Sequence, residues 1–330
     1  MTEDLILKLR ELISTAKSEE ALHLCDMELS LLDLNNCDKE WLARIYCFKG
    51  VALLSLGKKE DSLIFYNLAI ENNNNYHQAY YNRGYLYHCL NNFENAILDY
   101  NKAIELETNY TNAYYNRGVA NFTLGNYQEA IFDYDKVIEL EPNDFDIYNA
   151  RGGVYATLND YEKAILDYDK AIEMNPCYTI AYYNRVKAKI NLADYEGAIF
   201  DFSRLLELDP ENFDEYCKDI TELLLNKEQY DIVIDFATKE YISPYDIDEL
   251  FEQDKIREEN YNKLLENPKY KTIMETYDIQ MQKELQELHE TIDKCYKNPC
   301  LLVKELVLNI ALDIVIYPLK RFINRFKKKK

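Results

Sequence analysis

The sequence predicts an all-α fold, a superhelical solenoid of stacked antiparallel helix hairpins followed by a helical C-terminal extension. Three observations predict it. The segments Ala79–Gly84 (AYYNRG), Ala113–Gly118 (AYYNRG), Ile147–Gly152 (IYNARG) and Ala181–Val186 (AYYNRV) recur every 34 residues. A fixed period of that length marks one supersecondary unit stacked on copies of itself. Within the period the apolar spacing is helical: Tyr80, Gly84 and Tyr87 fall at i, i+4 and i+7. After the turn Leu90-Asn91-Asn92, the residues Phe93, Ala96, Ile97, Tyr100, Ala103 and Ile104 repeat that pattern on a second helix. Pro142, Pro176 and Pro210 then sit just past the second helix, where proline stops it.

Residues 1–42 contain two amphipathic helices, LILKLRELISTA and EEALHLCDMELSLL, read as a divergent leading hairpin. Five copies of the repeat follow at 43–76, 77–110, 111–144, 145–178 and 179–212. The first has Ser62 where the others have alanine, and the fifth has Val186 in place of glycine. Gly84 and Ala96 are small where the two helices must approach, and Ala103 makes room for the next hairpin. Residues 213–240 read as a degenerate sixth copy, as expected where a solenoid must cap its end. Residues 241–298 are expected to form a helical extension, with a helix start at Ser243-Pro244 and a break at Asn267-Pro268. Its stripe Ile273, Tyr277, Met281, Leu285, Leu288, Ile292 and Cys295 suits packing on the last repeats or a short coiled-coil seam.

Residues 299–330 differ in kind. CLLVKELVLNIALDIVIYPL is mostly apolar, with Glu305, Asn309 and Asp313 on one face, and the end LKRFINRFKKKK is basic. Glu305 and Asp313 argue against a transmembrane span. Two readings remain: an amphipathic helix on an anionic membrane, or a helix that caps the solenoid.

The net charge is −21 and unevenly spread: the residues after Pro299 carry +6, leaving −27 on residues 1–299. So acidic a surface repels nucleic acid and favours neutral or basic partners. The eight cysteines form no Cys-x-x-Cys pair, and the acidic N-terminus lacks the apolar core of a secretory signal. A cytoplasmic protein with reduced thiols is expected, peripheral at the membrane if residues 300–330 bind lipid. His23, His77, His88 and His289 lack metal-ligand spacing. No G-x-x-x-x-G-K-[ST], G-x-S-x-G or H-E-x-x-H motif occurs, so neither catalysis, a cofactor nor a metal is expected. The recurring pairs Asp133/Asp135 and Asp167/Asp169 read as architectural.

Tyr114, Gly118, Tyr127, Ala130, Tyr134, Val137 and Pro142 lie at the spacing of the tetratricopeptide repeat family, which residues 43–212 resemble. The resemblance implies a right-handed superhelix whose first helices line a concave, protein-binding face. On that face it places the asparagines before each Arg-Gly or Arg-Val: Asn82, Asn116 and Asn184, with Ala150 interrupting the row and Asn149 beside it. An amide is both donor and acceptor, so such a row can clamp an extended peptide backbone of any sequence. The alternative is a row of surface asparagines bonded to water.

Tyr81, Tyr115 and Tyr183 are expected to face the same groove or to pack between neighbouring first helices. Tyr85, His88, Phe122 and Lys187 are further groove candidates. The family's chaperone carboxylate clamp is not supported: its positions hold Cys47, Val51, Asn82, Asn112 and Asn116, without the required cations. Finally, Arg83, Arg117, Arg151 and Arg185 each precede an aspartate by sixteen residues: Asp99, Asp133, Asp167 and Asp201. The first copy replaces both residues, with Lys49 and Phe65. Residues that change together within one chain suggest a structural ion pair, and guanidinium suits carboxylate better than ammonium does.

Overall fold

The computed structural model describes residues 3–31, 38–227 and 266–276, with Val233, Lys263, Ile279, Gln282, Lys283 and Gln286 described singly. Residues 228–240 of the degenerate sixth copy apart from Val233, most of the 241–298 extension and all of residues 299–330 therefore lie outside the described residues. The chain divides into two compact units, residues 1–192 and 193–330, with the boundary in the turn of the fifth hairpin. Among the described residues there is no strand, and no helix is long and apolar enough to cross a membrane.

The first unit holds eleven described helices. Helices α1 (Glu3–Ser14) and α2 (Ser18–Leu31) form the leading hairpin. Then come α3 (Lys39–Ser55) with α4 (Lys59–Asn72), α5 (His77–Cys89) with α6 (Phe93–Leu106), and α7 (Thr111–Thr123) with α8 (Tyr127–Leu140). Helices α9 (Phe145–Thr157) and α10 (Tyr161–Met174) follow, and α11 (Thr179–Asn191) ends the unit. The second unit opens with α12 (Tyr195–Leu208), a 3-10 turn at Pro210–Asn212 and α13 (Phe213–Asn226).

Each turn is set by one residue in the left-handed region: Gly57, Asn91, Gly125 and Asn159, again 34 apart, with φ from 57° to 79°. Glycine adopts that conformation without steric cost, and asparagine tolerates it. At Asn91 the amide donates to the His88 carbonyl, and the Asn92 amide to that of Tyr87, both at 2.9 Å. This Schellman pairing satisfies carbonyls the ending helix would orphan, and it recurs at the other three turns. Asn92 and Asp160 then accept from the amides of Asn95 and Lys163, capping the next helix.

Within a hairpin, the ring of a second-helix tyrosine fills the space where a first-helix glycine lacks a side chain. Tyr66 lies on Gly50, Tyr100 on Gly84, Tyr134 on Gly118 and Tyr168 on Gly152. These four tyrosines are at most 3% exposed. Ser62 is compatible with the core because its hydroxyl donates to the Gly50 carbonyl at 2.8 Å. Between hairpins, each second helix packs on the following first helix, and first helices also pack on one another in the pairs α3–α5, α5–α7 and α9–α11. Consecutive second helices show no comparable packing, so the first helices form the tighter side of the stack. The leading hairpin joins it through a cluster of Leu9, Leu12, Ala21, Cys25, Ile45 and Ala52.

Candidate functional site

The asparagine row is tied from hairpin to hairpin. Asn82 donates its amide to Cys47 Sγ at 3.1 Å, Asn116 to Tyr81 Oη at 2.9 Å, and Asn184 to Asn149 Oδ1 at 3.0 Å. Each acceptor lies 35 residues earlier, on the preceding first helix. One N–H of each amide is thus committed within the stack. The carbonyl oxygens of Asn82, Asn116 and Asn184 accept no hydrogen bond from any described residue. At the interruption, Ala150 and Tyr115, the residue 35 before it, both pack against one apolar cluster that includes Tyr134 and Ile147.

The tyrosines expected at the groove are half-buried. Tyr81 meets Tyr110 at a tilt, with ring centroids 4.9 Å apart, and Tyr100 at 5.9 Å, while Tyr115 meets Tyr134 at 6.1 Å. Burial raises the hydroxyl pKa of both, and the Asn116 bond opposes that rise at Tyr81. Lys187 lies 5.0 Å above the Tyr183 ring, and Tyr85 and Phe122 are exposed.

A cavity of about 260 Å³ opens where α1, α3 and α5 meet. Cys47, Phe48, Val51 and Asn82 line it, together with Arg10 from the leading hairpin. The sequence missed Arg10 because it belongs to no repeat. It is the only cation among the lining residues. Burial pushes the Cys47 thiol up to about 12, against the Asn82 and Tyr76 hydrogen bonds. Neutral thiols are poor nucleophiles, so Cys47 serves here as wall and acceptor.

The arginine row lies beside this face and links the two helix layers. Arg83 grips Asp99 through Nε and Nη2 at 2.8 and 2.7 Å, and Arg151 grips Asp167 at 2.9 and 2.6 Å. Arg117 binds Asp133 in the same way, its Nη2 at 2.5 Å. The remaining Nη1 of each reaches back to the preceding hairpin's second helix: Arg83 to Asn67, Arg117 to Asn101, and Arg151 to Asp135. Arg185 reaches Asp169 in the same way. The recurring Asp-x-Asp pairs are thereby explained: Asp133 serves the arginine of its own hairpin and Asp135 that of the next.

Each arginine also lies over the tyrosine one helical turn earlier, at 5.3 to 5.8 Å for Tyr80, Tyr114, Tyr148 and Tyr182. In the first copy Lys49 instead bonds Asp26 and sits 4.1 Å above the Phe65 ring, so cation and ring replace cation and carboxylate. Burial raises the Asp133 and Asp167 carboxyls, an effect their arginines oppose. Asn121, which sequence reasoning passed over, donates to Asp133 Oδ2 at 3.2 Å.

Family models described as tetratricopeptide repeat match residues 43–76, 111–144, 145–176 and 180–212, and one described as TPR repeat matches 87–125. No curated protein matches the chain. Among solved structures, the C-terminal part of a TPR repeat-containing protein from Cytophaga hutchinsonii is 17% identical and superposes with a TM-score of 0.59, covering 73% of this chain and 97% of that one. A tetratricopeptide repeat protein from Parabacteroides merdae gives 19% identity, a TM-score of 0.53, and coverage of 76% and 97%. MamA from Desulfovibrio magneticus gives 22%, 0.50, and coverage of 53% and 97%. Identities this low speak to fold alone. The repeat period, the glycine–tyrosine packing and the family matches together show that residues 43–212 are repeats of the tetratricopeptide repeat family.

Proposed function

We propose that the chain is a non-enzymatic protein-interaction scaffold that holds an extended segment of a partner along the face built by its first helices. One observation carries this reading: the free carbonyl oxygens of Asn82, Asn116 and Asn184, each held by the bond its amide donates to the preceding hairpin. A pre-oriented acceptor suits a peptide N–H, and it costs little ordering entropy on binding. Tyr81, Tyr85, Tyr115, Tyr183, Asn149 and Lys187 supply side-chain contacts. The charge of −27 on residues 1–299 favours a neutral or basic partner. Selecting peptides from a random display library on the wild-type protein tests the proposal. The selected peptides should be lost on the triple variant Asn82→Ala, Asn116→Ala, Asn184→Ala, with folding confirmed by circular dichroism. Equal retention on both proteins sinks it.

A second reading rests on the segregated charge of +6 after Pro299. There the C-terminal helix tethers an assembly factor to anionic membrane. Flotation with phosphatidylserine liposomes, lost on deleting residues 299–330, is its expected outcome, and a full-length protein that stays at the bottom of the gradient rejects it.

A further inference from the structure

The second helices carry a periodic feature that the concave face does not use. Ile64, Leu98, Phe132 and Leu166 are 34 residues apart, and they are 55%, 64%, 55% and 67% exposed. Each stands two residues from the buried residues of its helix, such as Ala96 and Tyr100 on either side of Leu98. Two residues are about 200° of helical rotation, so these side chains point away from the core. Phe200, 73% exposed, holds the same place in the period in the second unit. Single exposed apolar residues are ordinary, but one per hairpin at a fixed position makes a stripe.

The surroundings indicate what would cover it. Glu60 and Asp61 precede Ile64 by one turn, Glu94 precedes Leu98, Glu129 precedes Phe132 and Glu162 precedes Leu166. None of these five carboxylates has a cationic partner among the described residues. Of the nearby cations, Lys102 pairs with Glu105, Lys136 with Glu139, Lys163 with Asp160 and Lys170 with Glu173, at 2.5 to 2.8 Å, and Lys58 at the start of α4 offsets only one of the two carboxylates Glu60 and Asp61. Lys59 donates to the Cys89 carbonyl. The stripe is therefore apolar with an unbalanced acidic flank. A second copy docked stripe to stripe would bring like charge against it, and an anionic membrane would be repelled as well.

We propose that Ile64, Leu98, Phe132 and Leu166 form a docking surface for a partner protein segment whose apolar side chains are flanked by lysine or arginine. This surface is independent of the asparagine row, and its test can succeed or fail without touching that reading. The test uses the full chain and a fluorescein-labelled 18-residue amphipathic helix of leucine and lysine, read by fluorescence anisotropy. The variant Leu98→Ser, Phe132→Ser, Leu166→Ser changes only exposed side chains, so its fold should persist, and it should bind the peptide at least tenfold more weakly. The variant Glu94→Gln, Glu129→Gln, Glu162→Gln keeps the stripe and should lose several-fold in affinity together with much of the salt dependence. The asparagine triple variant should bind as wild type does. Four results would each overturn the proposal: no binding by wild type; equal affinity in the serine variant; equal affinity for a leucine–glutamate version of the peptide; or a wild-type dimer that the serine variant dissolves.

Discussion

Arg117 holds three neighbours with one guanidinium: Asp133 in its own hairpin, Asn101 in the previous one, and the Tyr114 ring. Asp133 is 1% exposed, so removing its cation leaves a buried charge with only Asn121 for company. Arg117→Ala is expected to lower unfolding free energy by about 3 kcal/mol, measured by urea denaturation. Arg117→Lys should fall between alanine and wild type, because a point charge cannot span both partners. Unchanged stability in the alanine variant would remove the pair from the structural account. The buried thiols give a second expectation. Burial, the larger cause, raises both Cys25 and Cys47 from 9.0 to about 12. The folded state thus keeps protons that the unfolded state releases. That stabilisation is whole below pH 9.0 and is lost as pH rises toward 12, at about 1.4 kcal/mol per pH unit for each thiol. In native protein at pH 8, iodoacetamide should modify exposed Cys177 and spare Cys25 and Cys47. Rapid labelling of Cys47 would contradict its burial.

At the scale of the helix, two adjacent glycines on α9 have opposite tasks. A methyl group on Gly152 would lie 2.7 Å from the Tyr168 ring and 3.2 Å from the Ala164 carbonyl, whereas one on Gly153 meets nothing within 4 Å. Gly152→Ala should destabilise by about 1–3 kcal/mol through overpacking. Gly153→Ala should stabilise by about 0.5–1 kcal/mol through helix propensity. A thermal melt of each variant checks the sign, and a shared sign would mean the hairpin is packed differently. The sequence made the helices, the turns and the close approach legible, because those features repeat with the same residue types. The Arg–Asp pairs were legible for the same reason, with the Lys49 and Phe65 replacement as an internal contrast. The asparagine bonds were not, since their acceptors are a thiol, a phenol and an amide at Cys47, Tyr81 and Asn149. The outer stripe did carry a signal, since Ile64, Leu98, Phe132 and Leu166 recur every 34 residues and stand two residues, about 200° of helical rotation, from the core positions on either side.

For the whole molecule, charge and repetition dominate. A chain with −27 on its first 299 residues carries self-repulsion that salt relieves. The melting temperature should rise between 10 and 300 mM sodium chloride, despite the exposed Lys–Glu pairs along the second helices. A fall would mean that those pairs outweigh the repulsion. Repetition in turn means that each hairpin contacts only its neighbours, so a ligand laid along the stack meets the same chemistry several times. The most direct test is the affinity of a library-selected peptide after N-methylating its backbone one position at a time, measured on wild type and on the Asn82, Asn116, Asn184 alanine variant. The account predicts discrete positions where N-methylation weakens wild-type binding by about tenfold, roughly the value of one hydrogen bond. At those positions the variant should show no further loss. If every N-methylated peptide binds wild type as tightly as its parent, the asparagine oxygens do not hold a peptide backbone.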